Sequence, residues 1–426
     1  MDQVAPAVAS TYRDGCGYGA CAPWNGTLFA AQLVGLPFES PVFYCCGDDV
    51  AGFSAVSSFL SPPNPKDASF PEGGWEFALT ADVGFSENAR RVRDDMLATV
   101  GTTPRFFHIA GDIAYADGNQ SGWDEFNRLW EPVFSRVPVL MSPGNHDGEW
   151  VYGNNYRYPY GLWVGGGDSG QAYASRYPGP GPNASEPSNQ TATGTMASTS
   201  FYWSVDYKNL HLVAVSGVHE FGPGSQQYAW LERDLAAAAA PAARARRPWI
   251  VVTCHYPQYC TIDDCFCGNY SASATCEPMK DGTSQPGVLQ VTAAMVKRKL
   301  EPLLLRYGVD LFVAGHEHTY ERTFPVADFA VQPRDRQSLS VYKDPAAPIH
   351  VMAGVGGAGP DTKWRQQAQY PWSAVRTDGP HDDPFPYGWL RMRFLDRGTL
   401  RVQFRNVGAV GDAPVIRDDF VVAKSL

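Results

Sequence analysis

The sequence predicts an α/β protein preceded by a β-rich segment. Three observations carry that reading. From Trp75 onward, short apolar runs alternate with stretches whose apolar residues recur at helical spacing. Many of those runs end in a glycine-containing polar turn. Beyond about residue 340 the pattern is mostly strand-like.

Residues 1–62 are rich in Gly, Cys and aromatic residues, with short β-like runs at Pro41-Val42-Phe43-Tyr44 and from Phe53 to Phe59. They are too few for an ordinary β-sandwich. Pro62-Pro63-Asn64-Pro65 opens a linker over 63–74. Glu76 to Ala81 is then a strand ending at Asp82. Ser86 caps a helix that places Ala89, Val92, Met96 and Val100 on one face. Arg105 to Ala110 is a strand ending at Asp112. A helix with Phe126, Leu129, Trp130 and Val133 follows, and Pro138 to Met141 is a strand before Asn145. Such a β-α-β-α-β series implies parallel strands with right-handed crossovers, and ligands gather where those strands end.

Residues 152–199 form a long segment dense in Gly, Ser, Pro, Asn and Tyr, a composition that predicts a functional or mobile loop. Phe201 to Asp206 and Leu210 to Ser216 read as a hairpin. A helix from Ser225 to about Ala240 buries Tyr228, Leu231 and Leu235. Trp249 to Thr253 is a strand ending at His255. Met295, Val296, Leu300, Leu303, Leu304 and Tyr307 mark another helix, and Val309 to Ala314 is the strand before His316. Strands at Ile349 to Ala353, Trp389 to Leu395 and Leu400 to Arg405 complete the larger unit, residues 75–426.

Composition excludes some classes. The balance of 34 basic and 44 acidic residues gives a formal charge of −10, with no basic stripe to neutralise a nucleic acid. No apolar run reaches the roughly 18 residues of a membrane helix. The odd count of nine cysteines includes Cys254 inside an apolar strand, read as a buried free thiol. Cys260, Cys265, Cys267 and Cys276 lack paired CxxC spacing, so disulfides fit them better than zinc. Sequons at Asn25, Asn119, Asn183, Asn189 and Asn269 point to the secretory pathway, and the expected location is secreted or vacuolar/lysosomal. Met1 to Thr11 has no signal core, so a fragment or processed form is expected.

Five motifs carry the chemistry: Asp82-Val83-Gly84, Gly111-Asp112-Ile113-Ala114-Tyr115, Gly144-Asn145-His146-Asp147, Val252-Thr253-Cys254-His255 and Gly315-His316-Glu317-His318. Each alone is weak. In this order, each ending an apolar run, they supply ligands for two adjacent metal ions. Asp112 is the candidate bridge, since a carboxylate between two cations offsets their repulsion. Asp82, Tyr115 and His318 complete an oxygen-rich half that suits Fe(III). Asn145, His255 and His316 make a nitrogen-rich half that suits Zn, Mn or Fe(II). His108, His211 and His350 lie within strands and read as core or surface histidines. Glu321 and Arg322 read as a structural ion pair.

The pattern resembles the purple acid phosphatases of the calcineurin-like metallophosphoesterase superfamily, over about residues 75–426. Gly84 stands where most of that superfamily has a histidine ligand, and Tyr115 takes its place. Further similarity lies in Gly315 to Pro325, in the glycine run Ala353 to Gly359, and in residues 41–63, which look like the end of a fibronectin-III-like domain. The resemblance implies two mixed β-sheets flanked by helices. It also implies phosphomonoester hydrolysis by a metal-bound hydroxide, with the seven ligands named above. It makes His146 a phosphate contact or proton donor. Plant members carry a further histidine near the leaving group. Here His219 or Asp264 is the substitute candidate. The expected partner is a small phosphorylated substrate, and a homodimer is allowed for. Two alternatives stand: phosphodiester or nucleotide (di)phosphate hydrolysis on the same metals, and a non-catalytic binding protein retaining the fold.

Overall fold

The computed structural model describes residues 4–12, 24–67, 69–100, 104–148, 170–177, 179, 200–261, 293–360, 370–377, 386–409 and 411–426. Two seven-stranded mixed sheets dominate them. The first runs, edge to edge, Val341–Lys343, Val415–Ala423, Thr399–Asn406, Gly388–Asp396, Trp75–Thr80, Pro104–Ala110, Val139–Ser142. Its last three strands are parallel, as the βαβ pattern requires. The second runs Trp203–Tyr207, Leu210–Val215, Trp249–Cys254, Leu311–Ala314, Ile349–Ala353, Tyr320–Thr323, Ser373–Arg376, with the second to fifth strands parallel.

Alternation along the strands builds the layers. Phe77, Leu79, Phe106, Leu212, Val251 and Val313 point inward and fill one core between the sheets. Their neighbours Ala78, Phe107, Val213 and Val252 belong to a second cluster that includes the helices. There the Glu87–Val100 helix buries Val92 and Met96, and Ser121–Phe134 buries Phe126, Trp130 and Val133. Gln226–Ala239 buries Leu231 and Leu235, while Tyr228 stays half-buried. Ala293–Arg306 buries Val296, Leu300, Leu303 and Leu304. Ser86 and Ser225 cap their helices, accepting from Ala89 N at 3.2 Å and Tyr228 N at 3.1 Å.

Four strands of the two large sheets escaped the sequence reading: Tyr320–Thr323, Val341–Lys343, Ser373–Arg376 and Val415–Ala423. Short helices at Gln171–Arg176 and Pro241–Arg246 did too. The first of these strands is Tyr-Glu-Arg-Thr, all buried, a composition that hides a core strand. The ion pair expected between Glu321 and Arg322 is not formed. Neighbours in a strand face opposite sides of the sheet. Arg322 is fully buried and donates to Asp418 (Nε–Oδ2 2.5 Å, Nη2–Oδ1 3.1 Å) and to the Tyr342 hydroxyl (2.7 Å). Glu321 instead accepts from Ser373 Oγ (2.5 Å) and Thr261 N (2.9 Å), and burial pushes its carboxyl up to about 7.

The three strand histidines have structural places. His108 bonds Leu140 O and Thr253 Oγ1, each at 3.0 Å. His211 lies between Asp206 and Asp234. His350 packs on Tyr259 and Phe312. Ahead of the sheets, the described residues form three two-stranded pairs: Val8–Ser10 with Leu28–Ala30, Pro41–Tyr44 with Ser57–Leu60, and Gly47–Asp48 with Gly52–Phe53. They are tied down by Tyr12 to Gln120, Trp24 to Asp124, Tyr44 to Ser135 and Lys208 to Glu39.

Asp418 and Asp419 offer a test. Asp418→Ala strands a buried guanidinium, and the urea midpoint should fall by the equivalent of about 3–5 kcal/mol. Asp419→Ala removes a half-exposed pair with Arg401 and a bond from Gln403 Nε2 and should cost far less, about 1 kcal/mol.

Candidate metal centre

The parallel strands of both sheets bring their C-terminal turns together. Those turns are strained at the same residues that carry donor atoms. Asp82, Asp112, Tyr115 and His316 have φ of 58°, 50°, 49° and 76°, in the left-handed region. Glycines permit the close approach: a Cβ on Gly111 would lie 2.4 Å from His255 Nδ1, and one on Gly144 would lie 2.2 Å from Asp112 Oδ1.

Donors converge in two groups. In the first, the Tyr115 hydroxyl lies 2.8 Å from Asp82 Oδ1 and 2.7 Å from His318 Nε2. Gly84 faces the Tyr115 ring, with its would-be Cβ 3.5 Å from Cδ2. In the second, Asn145 Oδ1 lies 2.9 Å from His255 Nε2 and 2.8 Å from His316 Nδ1. Asp112 adjoins the second group through His255 Nε2, 3.2 Å from Oδ2. The ligand atoms of Asp112, His255 and His316 lie within 4.8 Å of one another. His255 Nε2 reaches across to Asp82 Oδ1 at 4.0 Å, so the groups are contiguous.

Outer contacts fix the imidazoles. His255 Nδ1 donates to Ala110 O at 3.1 Å, and His318 Nδ1 donates to Gly359 O. Both leave the Nε2 lone pair facing inward, the tautomer a metal ligand needs. The charges also call for cations. Asp82 and Asp112 are almost wholly buried, and the side-chain ion-pair partners described for them are histidines. Burial would raise the Asp112 carboxyl, but His255 and His146 outweigh it and hold it well below the usual range. Burial alone would lower His255; Asp112 and Asp82 push it up to about 9. Burial, then Asp82 and Asp112, hold the Tyr115 phenol well above its ordinary value. This donor set of two carboxylates, a phenol, an amide oxygen and three imidazoles fits two hard-to-borderline cations.

His146 stands at the rim, its side chain 27% exposed. Its Nε2 lies 4.0 Å from Asp112 Oδ2, and its Nδ1 lies 2.5 Å from Asp117 Oδ1. Burial pulls the imidazole pKa down, yet Asp112 and Asp117 push it up to about 9. Sequence reasoning missed Asp117, although it stands two residues after Tyr115 in the same turn and also has a left-handed φ of 48°. The role of Asp147 was missed as well. Its carboxylate accepts from Ile113 N and Gly144 N, both at 2.9 Å, and so pins the Asp112 turn to the Asn145 turn.

His219 is buried. Its Nδ1 meets Ser216 Oγ at 2.9 Å, and its ring packs edge-on against Phe201. The adjacent Val218 abuts Gly148. Asp264 lies outside the described residues, as do Cys265, Cys267, Cys276, Asn183, Asn189 and Asn269. Asn25 and Asn119 are exposed. Cys254 is a buried free thiol, and Cys45 and Cys46 are exposed free thiols.

Comparison with known proteins agrees with this geometry. The calcineurin-like phosphoesterase family profile matches residues 77–320, and the profile of iron/zinc purple acid phosphatase-like protein C matches 347–413. Human acid phosphatase type 7 is 30% identical over 81% of this chain and 67% of its own length. The chain belongs to the purple acid phosphatases. Membership places it among metal-dependent phosphatases. A purple acid phosphatase from yellow lupin (Lupinus luteus) seeds shares the fold, with a TM-score of 0.76 at 21% identity over 99% of this chain and 67% of the lupin chain. A protein named probable inactive purple acid phosphatase 27 from Arabidopsis thaliana is 26% identical over 91% of this chain, which spans 57% of that relative. No described helix is long and apolar enough to cross a membrane.

The Asp117 contact is open to test. Asp117→Asn removes a charge facing His146, so the ring should titrate at lower pH in an NMR titration of the metal-free protein. An unchanged midpoint would leave Asp112 as the controlling charge.

Proposed function

We propose that this chain hydrolyses small phosphomonoesters at an Fe(III)–M(II) pair, with Zn, Mn or Fe as the divalent ion. Asp82, Tyr115 and His318 would hold the trivalent ion, and Asn145, His255 and His316 the divalent one. Asp112 would be shared between them. The observation that carries the reading is the Tyr115 hydroxyl, seated between Asp82 and His318. When bound, the ions supply positive charge for the phosphate oxygens and lower the pKa of the water that attacks phosphorus.

The rest is the work of the chain's own residues. The buried carboxylates fix where positive charge can sit, and hence where phosphate oxygens bind. Asn145 offers a neutral oxygen and leaves its half less anionic. Asp117 holds the Nδ1–H of His146 and aims Nε2 toward the Asp112 side of the site. From the rim, His146 contacts the phosphate or gives its Nε2 proton to the departing alkoxide oxygen. His219, buried beside the Asn145 turn, and Asp264 remain our candidates for a second leaving-group contact. The five sequons, of which Asn25 and Asn119 are exposed, support passage through the secretory pathway. We assign residues 1–62 to a fibronectin-III-like segment.

The purified oxidised protein should show a broad visible charge-transfer band that disappears in Tyr115→Phe. A colourless, metal-loaded and active protein would overturn Tyr115 ligation to iron. Asp112→Asn should lose both ions and activity together. His146→Ala should keep both ions and lower kcat by about 100-fold. Loss of metal in that variant would make His146 a ligand instead. Comparing kcat/KM on mono- and diesters separates the monoesterase reading from its diesterase alternative.

A further inference from the structure

The glycine run Ala353–Gly359 leaves the second sheet at the end of the Ile349–Ala353 strand and crosses to the Asp82 turn of the first. A short backbone ladder marks the crossing. Ala81 N donates to Ala353 O (3.2 Å), Gly356 N to Ala81 O (2.8 Å) and Ala358 N to Asp82 O (3.0 Å). Ser86 Oγ donates to Gly357 O at 2.7 Å. The run thus joins the sheets at the rim where the donors meet.

Three of its glycines, Gly354, Gly356 and Gly357, have no room for a side chain. A Cβ on Gly354 would lie 2.1 Å from Glu317 O and 2.7 Å from Asp82 Oδ2. One on Gly356 would lie 2.7 Å from Ala81 O. Gly357, with φ 149°, would place its Cβ 2.6 Å from Val83 O. Gly359 gives its carbonyl to His318 Nδ1. At the centre these contacts fall on the Asp82 turn and the backbone and side chains of 317–318. None of those described reaches Asn145 or His255.

Resting on the two-ion reading above, we infer that residues 353–359 are a positioning element for one half of the centre. They set Asp82 against the Glu317-His318 backbone and hold the His318 tautomer. The Asn145–His255 half is set elsewhere, by Asp147 and Ala110. The run 353–359 therefore contributes none of the seven proposed ligands and still governs how the Asp82–His318 half is loaded.

Gly354→Ala tests this, with iron and divalent metal per chain, the visible band and far-UV circular dichroism as readouts. A folded variant should lose about 10-fold or more in iron affinity and in band intensity. Its divalent ion should be retained far better, although His316 N donates to Asp82 Oδ2 and links the halves. Gly359→Ala keeps the carbonyl and has open space for its Cβ, so it should match the wild type. Parallel loss of both ions from folded Gly354→Ala, or no loss, overturns the inference and leaves the centre standing. If Gly354→Ala does not fold, Ser86→Ala decides. It removes the bond to Gly357 O together with the helix cap on Ala89 N, so far-UV circular dichroism is read beside it; with the helix intact it should weaken iron by a few-fold, and wild-type iron affinity there overturns the inference. Fewer than two ions in the wild-type protein would overturn the centre itself, and this inference with it.

Discussion

Two buried carboxylates, Asp82 and Asp112, meet at one rim of a β-sandwich with histidines as their side-chain ion-pair partners. Burying such charges without compensation is costly. Much of the surrounding structure answers that cost. The turns bend into left-handed backbone so that main-chain N–H groups reach the carboxylates: His146 N to Asp112 and His316 N to Asp82, both at 2.8 Å. Imidazoles from the opposite sheet supply the rest. The arrangement is destabilising as bare protein and is relieved by cations, which is the balance a metal site needs.

A second constraint is the division of labour between the sheets. The first sheet gives oxygen donors, from Asp82, Asp112, Tyr115 and Asn145. The second gives nitrogen donors, from His255, His316 and His318. Each half of the proposed centre draws on both sheets, so its geometry depends on their relative placement. The aromatic core between them, with Tyr320 of the second sheet stacked on Phe404 of the first and Trp249 edge-on to Phe394, sets that placement. The buried Arg322–Asp418 pair locks the strand after His318 to the far side of the sandwich.

Where residues repeat with the period of a helix or strand, sequence reading was enough. The parallel strands ending in Asp82, Asp112, Asn145, His255 and His316 were legible because their apolar runs are bounded by glycine turns. Tyr320–Thr323 was not, because its glutamate and arginine are neutralised by Ser373, Thr261 and Asp418, partners remote in sequence. The same limit applied at the site. Ligand types announce themselves by motif, whereas Asp117, Asp147 and the Gly359 carbonyl act by where they lie relative to a ligand. Asp117 was two residues from Tyr115 and still invisible, since only the left-handed turn aims it at His146.

The bonds that define the site are also long-range. Tyr115 meets His318 across 203 residues, and His316 meets Asp82 across 234. No stretch of the nascent chain short of Gly359 contains all the donors and their supports. Closing loops of that length is slow and comes after local structure. Capture of the proposed ions would therefore come late in the life of this chain, open only after both sheets have docked. A chain that has its ions has passed a check on its own completed fold.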